Sequence, residues 1–179
     1  MSQVPDGSVD VVLTSPPYLN AIDYLRGHRL SLVWLGYRMS ELRSIRSNSI
    51  GAERSIDLDS VNKINSRIRK NMGELDELPA RFLGMIDRYV NDVRCVLAET
   101  ARVLKPEGSA TFVVGNSCLR GVFVRNSGAV MAAAKAAGLA TKSSHERELP
   151  AGSRYLPIME DGALAKRMRT ETILTFVHA

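Results

Sequence analysis

The chain has 179 residues, of which 45% are hydrophobic and 24% charged, and its formal net charge is +5. This length and composition indicate one domain that is long enough to bury a core. No segment approaches the roughly 20 apolar residues of a membrane span and no signal sequence opens the chain, so we expect a cytoplasmic protein. Cys95 and Cys118 have no partners at metal-ligand spacing, and no metal site is expected.

The first third of the chain begins with a short apolar strand. Residues 9–14 are apolar except for Asp10, as expected for a strand covered by helices on both faces. Residues 21–36 have helical periodicity ending at Gly36, and we expect Trp34 to lie in the core. The pattern weakens in residues 38–78, which we interpret as a basic, mobile or irregular insertion within a single domain spanning 1–179.

The remainder of the chain alternates helices and strands. A helix is predicted over 79–104, a strand over 110–114 and an alanine-rich helix over 129–137. Two closing strands, 140–148 and 170–178, are joined by a long loop. This order predicts an α/β fold.

The most informative motif, Ser15-Pro16-Pro17-Tyr18, follows the first strand directly. Two consecutive prolines lack backbone N–H groups and have a fixed φ, so they end the strand and hold the next side chain in one direction. The Ser15 hydroxyl and the Pro16 carbonyl are acceptors that can hold an exocyclic amino group, and the Tyr18 ring can lie against an unstacked base. The loop therefore suits amino-group chemistry on a nucleobase.

Together with Thr14, this motif resembles motif IV of the amino-methyltransferases, and its T-S-P-P-Y form is most similar to DNA cytosine-N4 enzymes. Related forms occur in adenine-N6, RNA and glutamine methyltransferases. The order of elements likewise resembles strands four to seven of the Rossmann-like class I methyltransferase fold. In that family, strands four, five, seven and six lie side by side.

The resemblance implies S-adenosylmethionine as the cofactor. The family binds it with a glycine-rich turn after strand one and an acidic residue after strand two. The sequence shows neither feature before residue 9, and no G-x-G element follows a strand in residues 19–179. We therefore expect the cofactor-binding half on a second polypeptide or an upstream region. The edge of strand 9–14 would then be open for pairing.

Other residues are candidates for the substrate pocket. Asn20, Asp23 and Tyr24 have a spacing that resembles a subset of DNA methylases, although Asp23 and Tyr24 can equally cap and anchor the following helix. Asn116 and Ser117 follow the predicted strand 110–114, at the edge of the sheet where α/β proteins bind ligands.

The excess positive charge is concentrated after the motif. Residues 24–71 contain ten Lys or Arg against four acids, whereas the rest of the chain contains 14 against 15. We interpret this segment as a phosphate-binding flank, although a solvated helical surface is the alternative. Its candidate nucleic-acid contacts are Arg43, Arg46, Arg67, Arg69 and Lys70.

These features together predict a DNA amino-methyltransferase of the restriction-modification type, with cytosine N4 as the preferred target. Adenine N6, an RNA substrate, or a non-catalytic nucleic-acid-binding half remain open. In the enzyme, Ser15 and Pro16 would orient the amino nitrogen and Tyr18 would stack on the base.

Overall fold

The computed structural model describes residues 3–19, 24–48, 50, 63–149 and 170–179, and it leaves undescribed the side chains of residues 24–26 and 46–48. Within these residues, four strands form one mixed sheet in the order β1-β2-β6-β5. The strands are β1 (Val9–Thr14), β2 (Leu104–Gly115), β5 (Leu139–Glu148) and β6 (Thr170–His178). β1 is parallel to β2, and β2–β6 and β6–β5 are antiparallel. The predicted α/β fold and the expected order of strands four, five, seven and six are confirmed.

Two helices cover one face of this sheet. They are α4 (Ala80–Val103), which enters from Pro79, and α5 (Asn126–Ala136), and both match the helices expected from sequence periodicity. Their apolar stripes meet Phe112 and Phe176, whose rings pack edge to face at 5.9 Å between centroids. Alternate residues of β2 and β6 are completely buried on this face, so the core lies between the sheet and these helices.

The segment expected to be an insertion contains regular helices where the structure describes it. These are α2 (Met39–Asn48), α3 (Lys63–Arg69) and a 3-10 helix over Lys70–Met72, and α1 (Tyr24–Trp34) precedes them. Ile68, Met72 and Leu78 are buried in the core beside α4 and α5. The part from α3 onward is therefore packed into the domain. The domain boundaries, with a single domain over 1–179, stay a prediction.

A short hairpin that the sequence analysis missed connects β2 to α5. It pairs β3 (Ser117–Leu119) with β4 (Val122–Val124) through Arg120 and Gly121, which both have positive φ. This geometry suits a two-residue hairpin turn and needs a glycine at one position. The hairpin returns the chain so that α5 begins beside the end of β2.

Two predictions about burial are wrong. Trp34 was expected in the core, but it is 90% exposed, and within the described ranges α1 packs against α2. Strand β1 was expected to be covered on both faces, but Val11 and Leu13 are 64% and 74% exposed, because the described helices cover only the opposite face. None of the helices in the described ranges is long and apolar enough to cross a membrane.

Candidate functional site

The Ser15–Tyr18 loop lies where three strands of the sheet end or begin. Thr14 pairs with Phe112, so the loop leaves β1 beside the carboxyl end of β2. On the other side of β2, Gly115 pairs with Glu171 at the start of β6. Ser15 is exposed and the two prolines and Tyr18 are half-buried. The loop is therefore open to a ligand while its backbone rests on the domain.

The hydroxyl of Tyr18 is held by two side chains. Its oxygen lies 3.2 Å from Ser15 Oγ, and it donates to Glu171 Oε1, also at 3.2 Å. The other carboxylate oxygen, Oε2, accepts hydrogen bonds from Nε and Nη2 of Arg147 at 3.1 and 2.8 Å. These contacts fix the direction of the Tyr18 side chain relative to Ser15.

A second group of polar contacts anchors the end of the loop. Ser117 Oγ donates to the carbonyl of Leu19 at 2.7 Å. Asn126 Nδ2 donates to Ser117 Oγ and to the Gly115 carbonyl at 2.8 and 2.9 Å. The structure therefore gives Ser117, predicted as a substrate contact, a role in holding the loop.

Asn116, the other residue predicted after the strand, caps helix α5. Its Oδ1 accepts hydrogen bonds from the backbone N–H and the hydroxyl of Ser127, both at 3.1 Å. An acceptor at this position satisfies an N–H group that has no partner within the helix. The contact with substrate stays a prediction for both Asn116 and Ser117.

A buried tyrosine of α4 lies near the loop. Tyr89 is fully buried, and its hydroxyl has no hydrogen-bond partner among the described residues. Burial, and to a lesser extent the neighbouring phenol of Tyr18, raises the pKa of Tyr89 well above its usual value. Tyr89 is therefore neutral over the physiological range and supports the loop from the core side.

Some of the predicted pocket residues lie outside the description. Asn20 and Asp23 are not among the described residues, and Tyr24 is described only in its backbone, as the first residue of α1. Their predicted role in shaping the base pocket, and the alternative role in capping the helix, both stay predictions.

The predicted phosphate contacts differ in their surroundings. Arg43, Arg67 and Lys70 are exposed, and the side chain of Arg46 lies outside the described set. Arg69 instead forms a structural ion pair, in which its Nη1 contacts both carboxylate oxygens of Asp87 at 3.0 and 3.1 Å. Asp87 is only 2% exposed, so this pair joins α3 to α4.

Sequence patterns do not single out Glu171, Arg147 or Asn126. None belongs to a motif, and each lies more than 100 positions from the loop in sequence. For Glu171 the local signal was a charged residue at the second position of a central strand, where a charge without a partner is costly.

The described residues do not fit a binding site for S-adenosylmethionine. The glycines with positive φ are Gly7, Gly36, Gly73, Gly121 and Gly138, and none of them joins the end of a strand directly to the start of a helix. The strand end at Gly115 is followed by Asn116, whose side chain is used to cap α5. Among the described residues, β1 is therefore followed by the Ser15–Tyr18 loop and β2 by the cap of α5. Neither strand is followed by a glycine-rich cofactor turn.

Comparison with known proteins gives three kinds of result. No protein-family model matches the chain. A solved structure, TTHA0409 of Thermus thermophilus, described as a DNA modification methylase, superposes on 99% of this chain and 49% of its own, with 15% identity and a TM-score of 0.49. A second structure of the same protein, in complex with S-adenosyl-L-methionine, gives 14% identity and a TM-score of 0.47.

Sequence comparison finds two type II methyltransferases. The alignment with M.BsoBI of Geobacillus stearothermophilus has 26% identity over a length of 144, and it covers 65% of this chain and 28% of that protein. The alignment with M.AvaI of Anabaena variabilis has 30% identity over a length of 125, and it covers 60% of this chain and 26% of that protein. The chain therefore matches little more than a quarter of the length of these relatives. Over that length it is similar to type II DNA methyltransferases, and the expected resemblance to DNA methyltransferases is confirmed.

Proposed function

We propose that the chain is the target-recognising part of an S-adenosylmethionine-dependent DNA amino-methyltransferase, with cytosine N4 as the preferred acceptor. The observation that carries the proposal is the Ser15–Tyr18 loop, which is exposed at Ser15 and fixed at Tyr18, at the end of a strand parallel to β2. The relation to type II methyltransferases supports DNA as the substrate.

The role of the loop is to hold an amino nitrogen in a reactive geometry. The lone pair of a base amino group is delocalised into the ring, so the nitrogen is a weak nucleophile. Hydrogen bonds from its two N–H groups to Ser15 Oγ and the Pro16 carbonyl favour a tetrahedral nitrogen whose lone pair points away from the ring. The Tyr18 ring would stack on the extruded base, S-adenosylmethionine would supply the methyl group, and the amino nitrogen would release one proton to solvent.

The base specificity rests on family association. The Ser15 form of the motif favours cytosine N4, whereas adenine N6 in DNA or RNA also offers an amino group that this loop can hold. Both bases extrude into the same kind of pocket. Mass spectrometry of hydrolysed product DNA distinguishes N4-methylcytosine from N6-methyladenine, and detection of only the latter would overturn the preference.

The exposed Val11 and Leu13 on one face of β1 support a second polypeptide, or a further region of the same one, as the cofactor-binding part. Leu13 pairs with Thr111 and Val113 pairs with Ile173, and the alternating pattern places all four on the face opposite α4 and α5. Among the described strands, β1 lies at the edge of this sheet, and an edge strand offers backbone groups for pairing. A partner strand would pair with the backbone of β1. Helices of the partner would cover the side chains of Val11 and Leu13.

This arrangement is tested by copurification. We expect the chain to copurify with a polypeptide carrying strands one to three of a related methyltransferase, and Leu13→Glu to prevent it. Ser144→Glu, on an exposed position of the far strand β5, is the matched control. Equal recovery with both variants would contradict the proposed interface.

DNA binding is assigned to the basic residues that are free to reach phosphate. Arg43, Arg67 and Lys70 are available to phosphate, whereas Arg69 is engaged with Asp87. Each phosphate contact that is lost should reduce the slope of log affinity against log salt by about 1. Charge reversal of the three residues that leaves DNA affinity unchanged would refute this assignment.

Activity is tested by supplying the cofactor-binding part and measuring transfer of a labelled methyl group to DNA. Ser15→Ala and Tyr18→Ala should remove activity, while the exposed controls Ser144→Ala and Tyr37→Ala should retain it. Activity that is indifferent to both loop substitutions would show that the site is elsewhere.

A specific observation favours a non-catalytic alternative, a nucleic-acid-binding half-methyltransferase. The described residues contain no glycine-rich cofactor turn. Calorimetric titration with S-adenosylmethionine, with and without duplex DNA, separates the cases. Saturable binding to this chain alone would mean a self-contained enzyme, and DNA binding that no complement converts to methylation would mean the binding module. The cytoplasmic location stays a prediction.

A further inference from the structure

Three side chains are joined by consecutive hydrogen bonds, and two of them belong to the Ser15–Tyr18 loop. Ser15 Oγ contacts the Tyr18 hydroxyl, which contacts Oε1 of Glu171, and each distance is 3.2 Å. Glu171 reaches this position because it lies at the start of β6, opposite Gly115 on β2 and Arg147 on β5. The loop is therefore connected to a residue more than 150 positions away in sequence.

The direction of these hydrogen bonds follows from the chemistry of the groups. An ionised carboxylate accepts hydrogen bonds and cannot donate them, so Tyr18 gives its one hydroxyl proton to Glu171. The Tyr18 oxygen can then only accept, and the contact with Ser15 requires Ser15 to donate its proton to Tyr18. Arg147 binds Oε2 and leaves Oε1 for Tyr18, which keeps the two ends of the carboxylate distinct.

We infer that Glu171 is a positioning residue that commits the Ser15 hydroxyl to be a hydrogen-bond acceptor toward the target base. With its proton directed at Tyr18, Ser15 presents only lone pairs to the ligand, and these match the N–H groups of an amino base. A carbonyl oxygen at the same place would meet lone pairs and be rejected. The inference rests on the proposed function, and it gives Glu171 control over the choice between an amino group and a keto group.

The hydrogen bonds themselves are tested without any cofactor or DNA. In the full chain labelled with ¹³C at tyrosine Cζ, the Tyr18 resonance reports donation to a carboxylate. Glu171→Gln should shift this resonance, and Ser15→Ala should shift it by a smaller amount. Glu148→Gln, an exposed glutamate on β5, is the matched control and should leave it unchanged. A Tyr18 resonance that is the same in Glu171→Gln and wild type would overturn the inference, whether or not the chain is a methyltransferase.

The functional consequence is tested with the complemented enzyme. A glutamine can donate to Tyr18 and so allow Tyr18 to donate to Ser15, which reverses the series. We expect Glu171→Gln to lower kcat about tenfold, the effect of about one charge-assisted hydrogen bond, with little change in DNA affinity. Glu148→Gln should behave as wild type.

A double-substitution experiment separates positioning from a structural role. If Glu171 acts through the Tyr18 hydroxyl, Glu171→Gln should have no further effect on kcat when Tyr18 is already Phe. An equal loss in both backgrounds would mean that Glu171 only stabilises the strands, and the inference would fail. If the wild-type protein transfers no methyl group, the proposed function fails. The Tyr18 resonance still tests whether Tyr18 donates a hydrogen bond to Glu171.

Discussion

The ion pair between Arg69 and Asp87 predicts which basic residue of the α3 segment stabilises the fold. Arg69→Ala removes both described contacts to the Asp87 carboxylate, which is 2% exposed and would be left buried without a counter-charge. Removing one partner of a buried pair costs about 3–5 kcal/mol. Because the Arg69 side chain is itself 38% exposed, water reaches the pair, and we expect a lower value of about 2–3 kcal/mol.

This loss is measured by urea unfolding and by thermal melting. At about 2–4 °C per kcal/mol for a chain of this size, Arg69→Ala should lower Tm by roughly 5–10 °C. Arg67→Ala is the matched control, since Arg67 lies on the same helix with no described ion pair and should change stability by no more than about 0.5 kcal/mol.

In DNA binding, the expected order is reversed, and Arg67→Ala should be the more impaired variant. Arg67→Ala should weaken binding and reduce its salt dependence, whereas folded Arg69→Ala should bind nearly as wild type. Equal stability of the two variants would refute the structural role of Arg69. A loss of DNA affinity in Arg69→Ala but not in Arg67→Ala would mean that Arg69 contacts phosphate after all.

Three further substitutions test the packing around the loop. Burial raises the pKa of Tyr89 above its usual value of 10.0, so the unfolded chain releases this proton first, and stability is lost as pH rises above 10. Tyr89→Phe should resist this alkaline unfolding in a pH series of urea melts, unlike the control Tyr37→Phe, and equal alkaline sensitivity of the two would count against the buried hydroxyl. Gly128→Ala should destabilise the protein although alanine favours helices, because its Cβ would lie 2.0 Å from the Asn71 carbonyl oxygen; a higher Tm would contradict this packing. Ser117→Ala should increase amide hydrogen exchange in the loop without lowering exchange protection in the sheet, and unchanged loop exchange would show that the bond to Leu19 is not needed.

Much of the fold follows from local patterns in the sequence. The period of 3.6 in residues 79–104, with Pro79 before its first turn, gave the longest helix within one residue at each end. The closing strands were placed correctly because Gly138 ends the helical pattern before the first strand and β-branched residues dominate the second. Helices α2 and α3 were missed because their apolar residues are few and their serines, asparagines and arginines do not favour one structure.

By itself the sequence determined the chemistry of the loop, since the two prolines and the residues on either side define its acceptors and its aromatic ring without reference to any other segment. Only the tertiary structure decided what holds that loop. The contacts of Tyr18 with Glu171 and of Leu19 with Ser117 join residues about 100 to 150 positions apart, and no local pattern reports such a pairing. The structure also decided that Arg69 pairs with Asp87 and that no helix of the described ranges covers Val11 and Leu13 of β1. Both depend on which elements the fold brings together, and periodicity along the chain carries no information about them.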